Sequence, residues 1–326
     1  MTPPGNGLLY RDITFNAIDN TLMTIKEINA DRPNSKCKLL LKATGGEIYQ
    51  DISPDRAGWH LLNFNARIII PGQKWNGNTG SNEYLFVLMG GNFEAITSAG
   101  SWKTVNGRRN PFRGLPHALY LPPQTDYEII PVGGPVDIAC GWSPSDKRFP
   151  ASFITPADVV RMGVELRGGD NASRQINSIL PPGSQCHRLI CVEVYTPSGN
   201  WSSFPAHKHD RRKVDPLTGK VTEADLEEIY FYKTEKPQGF AYQKVYNDDR
   251  SLNELLEAHN NDVVLVPEGY HPVVACHGYN IYYLNFLAGS DQSLANTDDP
   301  DHKWIYGTWK GMDPRLPLVT ADMNNE

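Results

Sequence analysis

The sequence predicts an all-β protein, two small jelly-roll barrels in tandem with few short helices. Three observations point there. From Lys38 onward, short runs of β-branched, aromatic and aliphatic residues recur along the chain. Turn residues separate them, and the 28 Gly and 25 Pro are frequent enough to close each run. The 326 residues, 40% of them hydrophobic, leave room for two domains, each with its own core.

Composition narrows the function classes. The net charge of −6 gives no electrostatic case for nucleic acid or an anionic membrane surface. The five cysteines are odd in number and form no CxxC, so reduced thiols and a cytoplasmic location are expected. The opening MTPPGNGLLYRDI does not read as a signal peptide. No apolar run approaches the roughly 20 residues that span a bilayer.

Taken in order, residues 1–35 read as an N-terminal extension with one short helix from Asp19 to Ala30, capped by Asn20 or Thr21. Residues 36–150 read as the first barrel. Its strands begin at Leu39, Trp59, Glu83, Ala118, Tyr127 and Val136, and Gly or Pro pairs such as Gly45-Gly46, Gly90-Gly91 and Pro122-Pro123 punctuate them. Residues 151–187 read as a linker. Thr155-Pro156 is a helix start, a cap followed by proline at the first helical position; Arg167 to Ser173 reads as loop.

Residues 188–326 read as the second barrel with a C-terminal tail. Its strands are expected over Leu189 to Thr196, Glu228 to Lys233, Phe240 to Tyr246, Val263 to Val266 and Tyr279 to Ala288. Ser251 to Ala258 has capping-box spacing and helical periodicity, which predicts a short helix. Trp304 and Trp309 are expected to pack the tail back on the domain. Arg211-Arg212-Lys213 reads first as a solvated loop, and second as a cationic rim for an anionic substrate.

The chemistry concentrates in WSSFPAHKHD, Trp201 to Asp210. His207 and His209 are two apart in a β-rich stretch, so their side chains leave one face of a strand, as a pair of metal ligands requires. Leu226-Glu227-Glu228-Ile229-Tyr230 then opens an aromatic strand with two carboxylates. Asp262-Val-Val-Leu-Val-Pro267-Glu-Gly269-Tyr270-His271 is a strand, a turn and a third histidine. Two His, one Glu and one His at strand ends is the pattern of a metal-binding cupin, and two such barrels make a bicupin. The first half has that outline without the ligands: Gly72 to Glu83 offers Glu83 and no HxH, and His60 and His117 are isolated. It is read as metal-free.

The strings GNWSSFPAHKHD, LEEIYFYK, PQGFAYQKVYNDDRSL, DVVLVPEGYHPV, HGYNIYYLNFLAG and DDPDHKWI resemble those of the 5-deoxy-glucuronate isomerases of myo-inositol catabolism. The likeness runs from about Lys38 to Ile305 and is densest from Gly199 onward. It implies a cytoplasmic aldose–ketose isomerase converting 5-deoxy-D-glucuronate to 5-dehydro-2-deoxy-D-gluconate through a metal-stabilised enediolate. It assigns His207, His209, Glu228 and His271 to one divalent metal per chain, with zinc expected first and manganese, iron or nickel as alternatives. Two spacings depart from the general cupin pattern: the gap from His209 to Glu228 is long, and the second motif reads PxGxH rather than PxGxxH. Glu227 is the fallback ligand.

The implied reaction needs a base beside the carbonyl. His277, Glu227, Tyr270 and Tyr283 are the candidates, and each has an alternative as packing or as support for the ligands. The substrate carboxylate needs a cation. Lys208, Arg174, Lys244 and Arg250 are candidates, with arginine favoured for its fork geometry. Tyr232, with Tyr230, Phe240 and Tyr242, is a candidate to line a sugar pocket. The expected partner is a small-molecule sugar acid, and the chain is expected to form a homo-oligomer. Competing readings are an isomerase of another uronate, a cupin iron oxygenase and a non-catalytic sugar-binding bicupin.

Overall fold

The computed structural model describes residues 39–325. The extension 1–35, its expected helix and Cys37 lie outside them. Within them, two antiparallel β-sandwiches follow one another. In the first, a six-stranded sheet has the order Ser152–Ile154, Ala118–Leu121, Asn82–Gly90, Val136–Pro144, Asn63–Ile69, Ile48–Ile52. It packs against a four-stranded sheet ordered Trp75–Asn78, Asp126–Pro131, Phe93–Thr97, Gly100–Lys103.

In the second, the large sheet runs Leu40–Leu41, Val263–Val266, Val221–Thr234, Ile281–Gly289, Ile190–Thr196, Arg174–Leu180, Val164–Arg167. Asp210–Val214 also pairs with Val221–Thr234. The facing sheet is Trp201–Ser202, Val273–Ala275, Phe240–Tyr246, Asn253–His259.

The large sheets of the two sandwiches lie back to back. Phe64, Ala66, Leu85, Val87 and Tyr120 of the first share one core with Ile229, Phe231, Tyr282, Leu284 and Phe286 of the second. The strand Ile281–Gly289 is therefore buried on both faces, and IYYLNFLAG reads as an unbroken apolar run. Tyr283 turns into the second sandwich while Tyr282, Leu284 and Phe286 turn to the joint. Each such fully buried side chain contributes roughly 1.5–3 kcal/mol. Gly141 makes the joint close: a Cβ there would stand 2.3 Å from the Phe286 ring.

Two carboxylates fasten the joint reciprocally. Glu83 accepts the backbone N–H groups of His187, Arg188 and Leu189 at 2.6, 2.6 and 2.9 Å. Glu227 accepts those of His60, Leu61 and Leu62 at 2.7, 2.9 and 2.8 Å.

Several expectations need correction. Leu40–Leu41 pairs with Val263–Val264 of the second sheet, although it precedes the first sandwich in sequence. The stretch read as linker does hold a helix, Pro156–Met162, with Thr155 and Asp158 forming a reciprocal capping box. It also carries Val164–Arg167 and Arg174–Leu180, which are strands of the second sheet. The expected helix over 251–258 is instead the strand Asn253–His259. It pairs along its whole length with Phe240–Tyr246, and buries Leu256 and Ala258, two residues apart, while Leu255 is 68% exposed. Seven ladder positions and a buried face outweigh helix propensities of tenths of a kcal/mol per residue. Trp309 packs on Gly169, but Trp304 is 70% exposed and does not anchor the tail. Cys140, Cys186, Cys191 and Cys276 are free thiols. Among the described residues no helix is long and apolar enough to cross a membrane.

Candidate metal centre

His207 and His209 flank Lys208 in a short extended segment. His207 pairs with Asp298 and Lys208 with Thr297, and the His209 carbonyl accepts the Leu226 N–H at 2.8 Å. The backbone is thus held between the tail and the long strand, and the two imidazoles leave on one side. Glu228 enters from Val221–Thr234, with Tyr230 and Tyr232 at the next alternate positions.

His271 follows the turn Pro267-Glu268-Gly269. Gly269 has φ +87°, and a Cβ there would stand 2.5 Å from the Tyr246 carbonyl, so the turn needs glycine. The Gly269 N–H donates to Asp210 Oδ2 at 2.9 Å. Its carbonyl accepts from His271 Nδ1 at 2.8 Å. A carbonyl only accepts, so Nδ1 carries the proton and the Nε2 lone pair faces inward.

One ring nitrogen from each of His207, His209 and His271 lies within 4.8 Å of the others. The ring centroids of His207 and His209 stand 4.9 and 5.0 Å from that of His271. Glu228 Oε2 lies 3.0 Å from His209 Nε2 and 3.3 Å from His271 Nε2. His271 Nε2 is buried and has no hydrogen-bond partner. A buried lone pair aimed at two other imidazoles and a carboxylate costs free energy unless a cation takes it up. The residues present therefore fit a divalent ion, and a set of three nitrogens and one carboxylate suits zinc, iron, manganese or nickel alike.

Electrostatics favour the neutral ring at His207 and His271, while the carboxylate of Glu228 favours the charged ring at His209. Burial, then the neighbouring His271 and His209, holds His207 well below its ordinary pKa. Burial lowers His271 to about 4, against the opposing pull of Glu228. Burial also disfavours the charged form of His209, but the hydrogen bond and charge of Glu228 outweigh it and raise the ring.

Beside the cluster, the Tyr230 ring stands 5.8 Å from His271 and 4.8 Å from the Tyr283 ring. Tyr283 shares a hydrogen bond with Ser202, and Tyr230 with Ser203 at 3.2 Å. Burial first, then nearby charged groups, holds the Tyr230 phenol well above its ordinary pKa, and Tyr283 is raised mainly by burial. Both are proton donors rather than bases at neutral pH. Arg174, at the start of Arg174–Leu180, is buried and acts electrostatically on both phenols and on His207.

The other candidates lie elsewhere. Glu227 faces the joint between the sandwiches, with both oxygens bound to backbone N–H groups, so it is neither a ligand nor a free base. His277 is exposed in the turn after Val273–Ala275, at the opposite end of that strand from His271. Tyr270 points away from His271 and donates to Asp248 at 2.9 Å. Lys208 points the same way, ion-paired to Asp248 and 5.1 Å from the Tyr270 ring centroid. In Phe240–Tyr246 the alternating buried positions Ala241, Gln243 and Val245 leave Lys244 exposed on the outer face, and Tyr246 at the strand's end is buried as well. Arg250 is exposed there too, 3.9 Å over the Tyr246 ring. Tyr232 is in the core, donating to Gln243 at 2.8 Å, one alternate step beyond Tyr230. Sequence reading missed Ser202, Ser203 and Asp210. Their only signal was lying in the same ten-residue stretch as the two histidines.

Comparison with known proteins bears on the same residues. A model of the KduI/IolB family matches residues 38–305. The 5-deoxy-glucuronate isomerase of Geobacillus kaustophilus is 38% identical over 255 residues, 78% of this chain and 89% of that protein. The protein of the same name from Bacillus subtilis strain 168 is 32% identical over 265 residues, 81% of this chain and 94% of that one. The crystal structure of an IolB-like protein from Salmonella typhimurium superposes with a TM-score of 0.76 at 36% identity, covering 82% of this chain and 98% of that one. Oxalate decarboxylase of Bacillus subtilis superposes at 0.56 with 9% identity, over 91% of this chain and 89% of that one. The last likeness is one of fold, and the fold is a two-domain cupin.

Proposed function

We propose that this chain, which belongs to the KduI/IolB family, is a metal-dependent aldose–ketose isomerase that converts 5-deoxy-D-glucuronate to 5-dehydro-2-deoxy-D-gluconate. The reading places it in the cytoplasm, in myo-inositol catabolism, as a homo-oligomer. The observation that carries it is the convergence of His207, His209, His271 and Glu228 in a chain with isomerase relatives at 32–38% identity over most of its length.

The reaction moves a carbonyl from C1 to C2. The C2 proton leaves and a proton is returned to C1, while the hydroxyl hydrogen passes from O2 to O1. Atoms and electrons balance with no external oxidant. A divalent ion held by the three imidazoles and Glu228 supplies the Lewis acidity that lowers the energy of the enediolate.

The chain's own groups then have distinct tasks. Gly269 and Asp210 fix the orientation of His271. The paired hydroxyls Tyr283–Ser202 and Tyr230–Ser203 would donate protons to substrate oxygens and exchange protons with them; their mutual hydrogen bonds and the contact of the Tyr230 ring with His271 support this role. Of the four base candidates, Tyr283 is the one beside the centre; its raised pKa keeps the phenol protonated, so it would give its own proton to O1 as it takes the proton leaving O2.

The test is an anaerobic incubation with 5-deoxy-D-glucuronate followed by NMR. Conversion to 5-dehydro-2-deoxy-D-gluconate without oxygen supports the reading. Failure of metal-loaded protein to convert it, with turnover appearing only when oxygen is admitted, would favour the oxygenase instead.

A further inference from the structure

Among the described residues, the second sandwich holds a buried cation with no counter-charge. Arg174 is 6% exposed, and its guanidinium makes no hydrogen bond or ion pair with any described residue; Nη1 is fully enclosed and unpartnered. The other deeply buried cations are all matched. Arg108 meets Glu193 at 2.8 Å, Lys233 meets Asp137 at 2.6 Å, and Lys208 pairs with Asp248. A buried guanidinium left without an anion is costly, and a core that needed only volume would be better filled by an apolar side chain.

The position of this charge is informative. Arg174 alternates with Ile176, which packs on the core inside the second barrel, so the side chain leaves on the barrel side of its sheet. The ionisable groups whose charge acts on it are Tyr283, Arg167, Tyr230 and Tyr306, and its own charge acts on His207. In the sheet register Ile176 is level with Tyr283 through Val194, so Arg174, one alternate step along, shares the inner face that carries Tyr283, whose ring neighbours Tyr230 and through it His271. Arg167, directly opposite it in the strand pairing, adds a second positive charge, although that side chain is exposed and already engaged by Glu165.

Building on the isomerase reading, we infer that Arg174 is the residue that binds the substrate's terminal carboxylate and so sets which end of an open-chain sugar acid reaches the three histidines. A guanidinium offers two parallel N–H donors to a carboxylate, and the pairing is strongest where water is excluded. With the acid end fixed at Arg174, the aldehyde end is the one presented to His207, His209 and His271. Neutral aldoses of the same length lack the anion that this site requires and are discriminated against.

The test compares the full-length wild type with Arg174→Met and Arg174→Lys, after elemental analysis and thermal melting show that each is folded and metal-loaded. Each is assayed on 5-deoxy-D-glucuronate and on its C6 carboxamide. The wild type prefers the acid, and in Arg174→Met the ratio of kcat/KM for acid over amide falls by about 100-fold, mostly through KM. Arg174→Lys recovers part of that preference. An Arg174→Met protein that retains the wild-type acid-over-amide ratio overturns the assignment, whatever its absolute rate. If the wild type converts neither compound, the isomerase reading fails separately, and calorimetry with D-gluconate decides the anchor. Binding to wild type that is lost in Arg174→Met upholds it, and equal binding or no binding to both sinks it.

Discussion

Glu227 and Glu228 are neighbours on one strand, and their carboxylates end on opposite faces of the sheet. Glu228 Oε2 lies 3.0 Å from His209 Nε2 inside the barrel. Glu227 crosses to the joint and accepts the N–H groups of His60, Leu61 and Leu62. Alternation of side chains along the strand separates a candidate ligand from a fastener across a single peptide bond.

The pair predicts two different losses. Glu227→Ala leaves three backbone donors without their charged acceptor and should destabilise the protein by roughly 3 kcal/mol or more in denaturant unfolding. Its metal content, measured on the folded protein, should be unchanged. Glu228→Ala should do the reverse, losing metal with a smaller stability change in the metal-free form. Metal loss in Glu227→Ala without unfolding would contradict the division.

Much of this was readable in advance and some was not. The spacing of His207 and His209, and the Pro-x-Gly turn before His271, report side-chain direction locally, so the convergence of the three histidines could be found without coordinates. The partners of Glu227 are 165 residues or more away in sequence, and no local pattern reports them. The same holds for Leu40–Leu41, which has too few residues to show which sheet it joins. Lys244 and Arg250 looked like carboxylate binders because charge says nothing about facing; the small apolar Ala241 and Val245 were the cue that the lysine faces out. In Asn253–His259, local propensity favoured a helix and pairing with the preceding strand won.

Gly269 is predicted to be intolerant of any side chain. Gly269→Ala places a Cβ 2.5 Å from the Tyr246 carbonyl at φ +87°. It should cost about 1–2 kcal/mol of stability from the backbone alone. Because the same residue orients His271, metal affinity should also fall by roughly 10–100-fold, as is typical when a ligand's support is lost. Titration of the metal-free variant with zinc reads the second effect; wild-type affinity would count against it.

Acid should weaken the first sandwich through His117. Burial, then the Arg108 charge, lowers this ring to about 4. Its folded pKa is depressed, so the unfolded chain takes up a proton near pH 6.5 that the folded chain refuses. Stability is therefore fully present above about pH 6.5 and declines as pH falls towards 4, by up to roughly 3 kcal/mol. His117→Asn should remove this slope. Parallel stability curves for wild type and variant between pH 7 and 5 would rule the contribution out.

Chelation should lower apparent stability in proportion to metal occupancy. At free metal about 100 times the dissociation constant, the bound ion contributes about 2.7 kcal/mol, and stripping it removes that amount. The melting temperature of His207→Ala should not respond to chelator or added zinc, whereas that of the wild type should respond to both.

The most direct measurement of the central claim is the metal content per chain of purified wild type and of His207→Ala, taken with isomerisation activity on the same samples. The account predicts one divalent metal per wild-type chain with activity proportional to occupancy, and neither metal nor turnover in His207→Ala. Full turnover of 5-deoxy-D-glucuronate by the metal-free variant would contradict it.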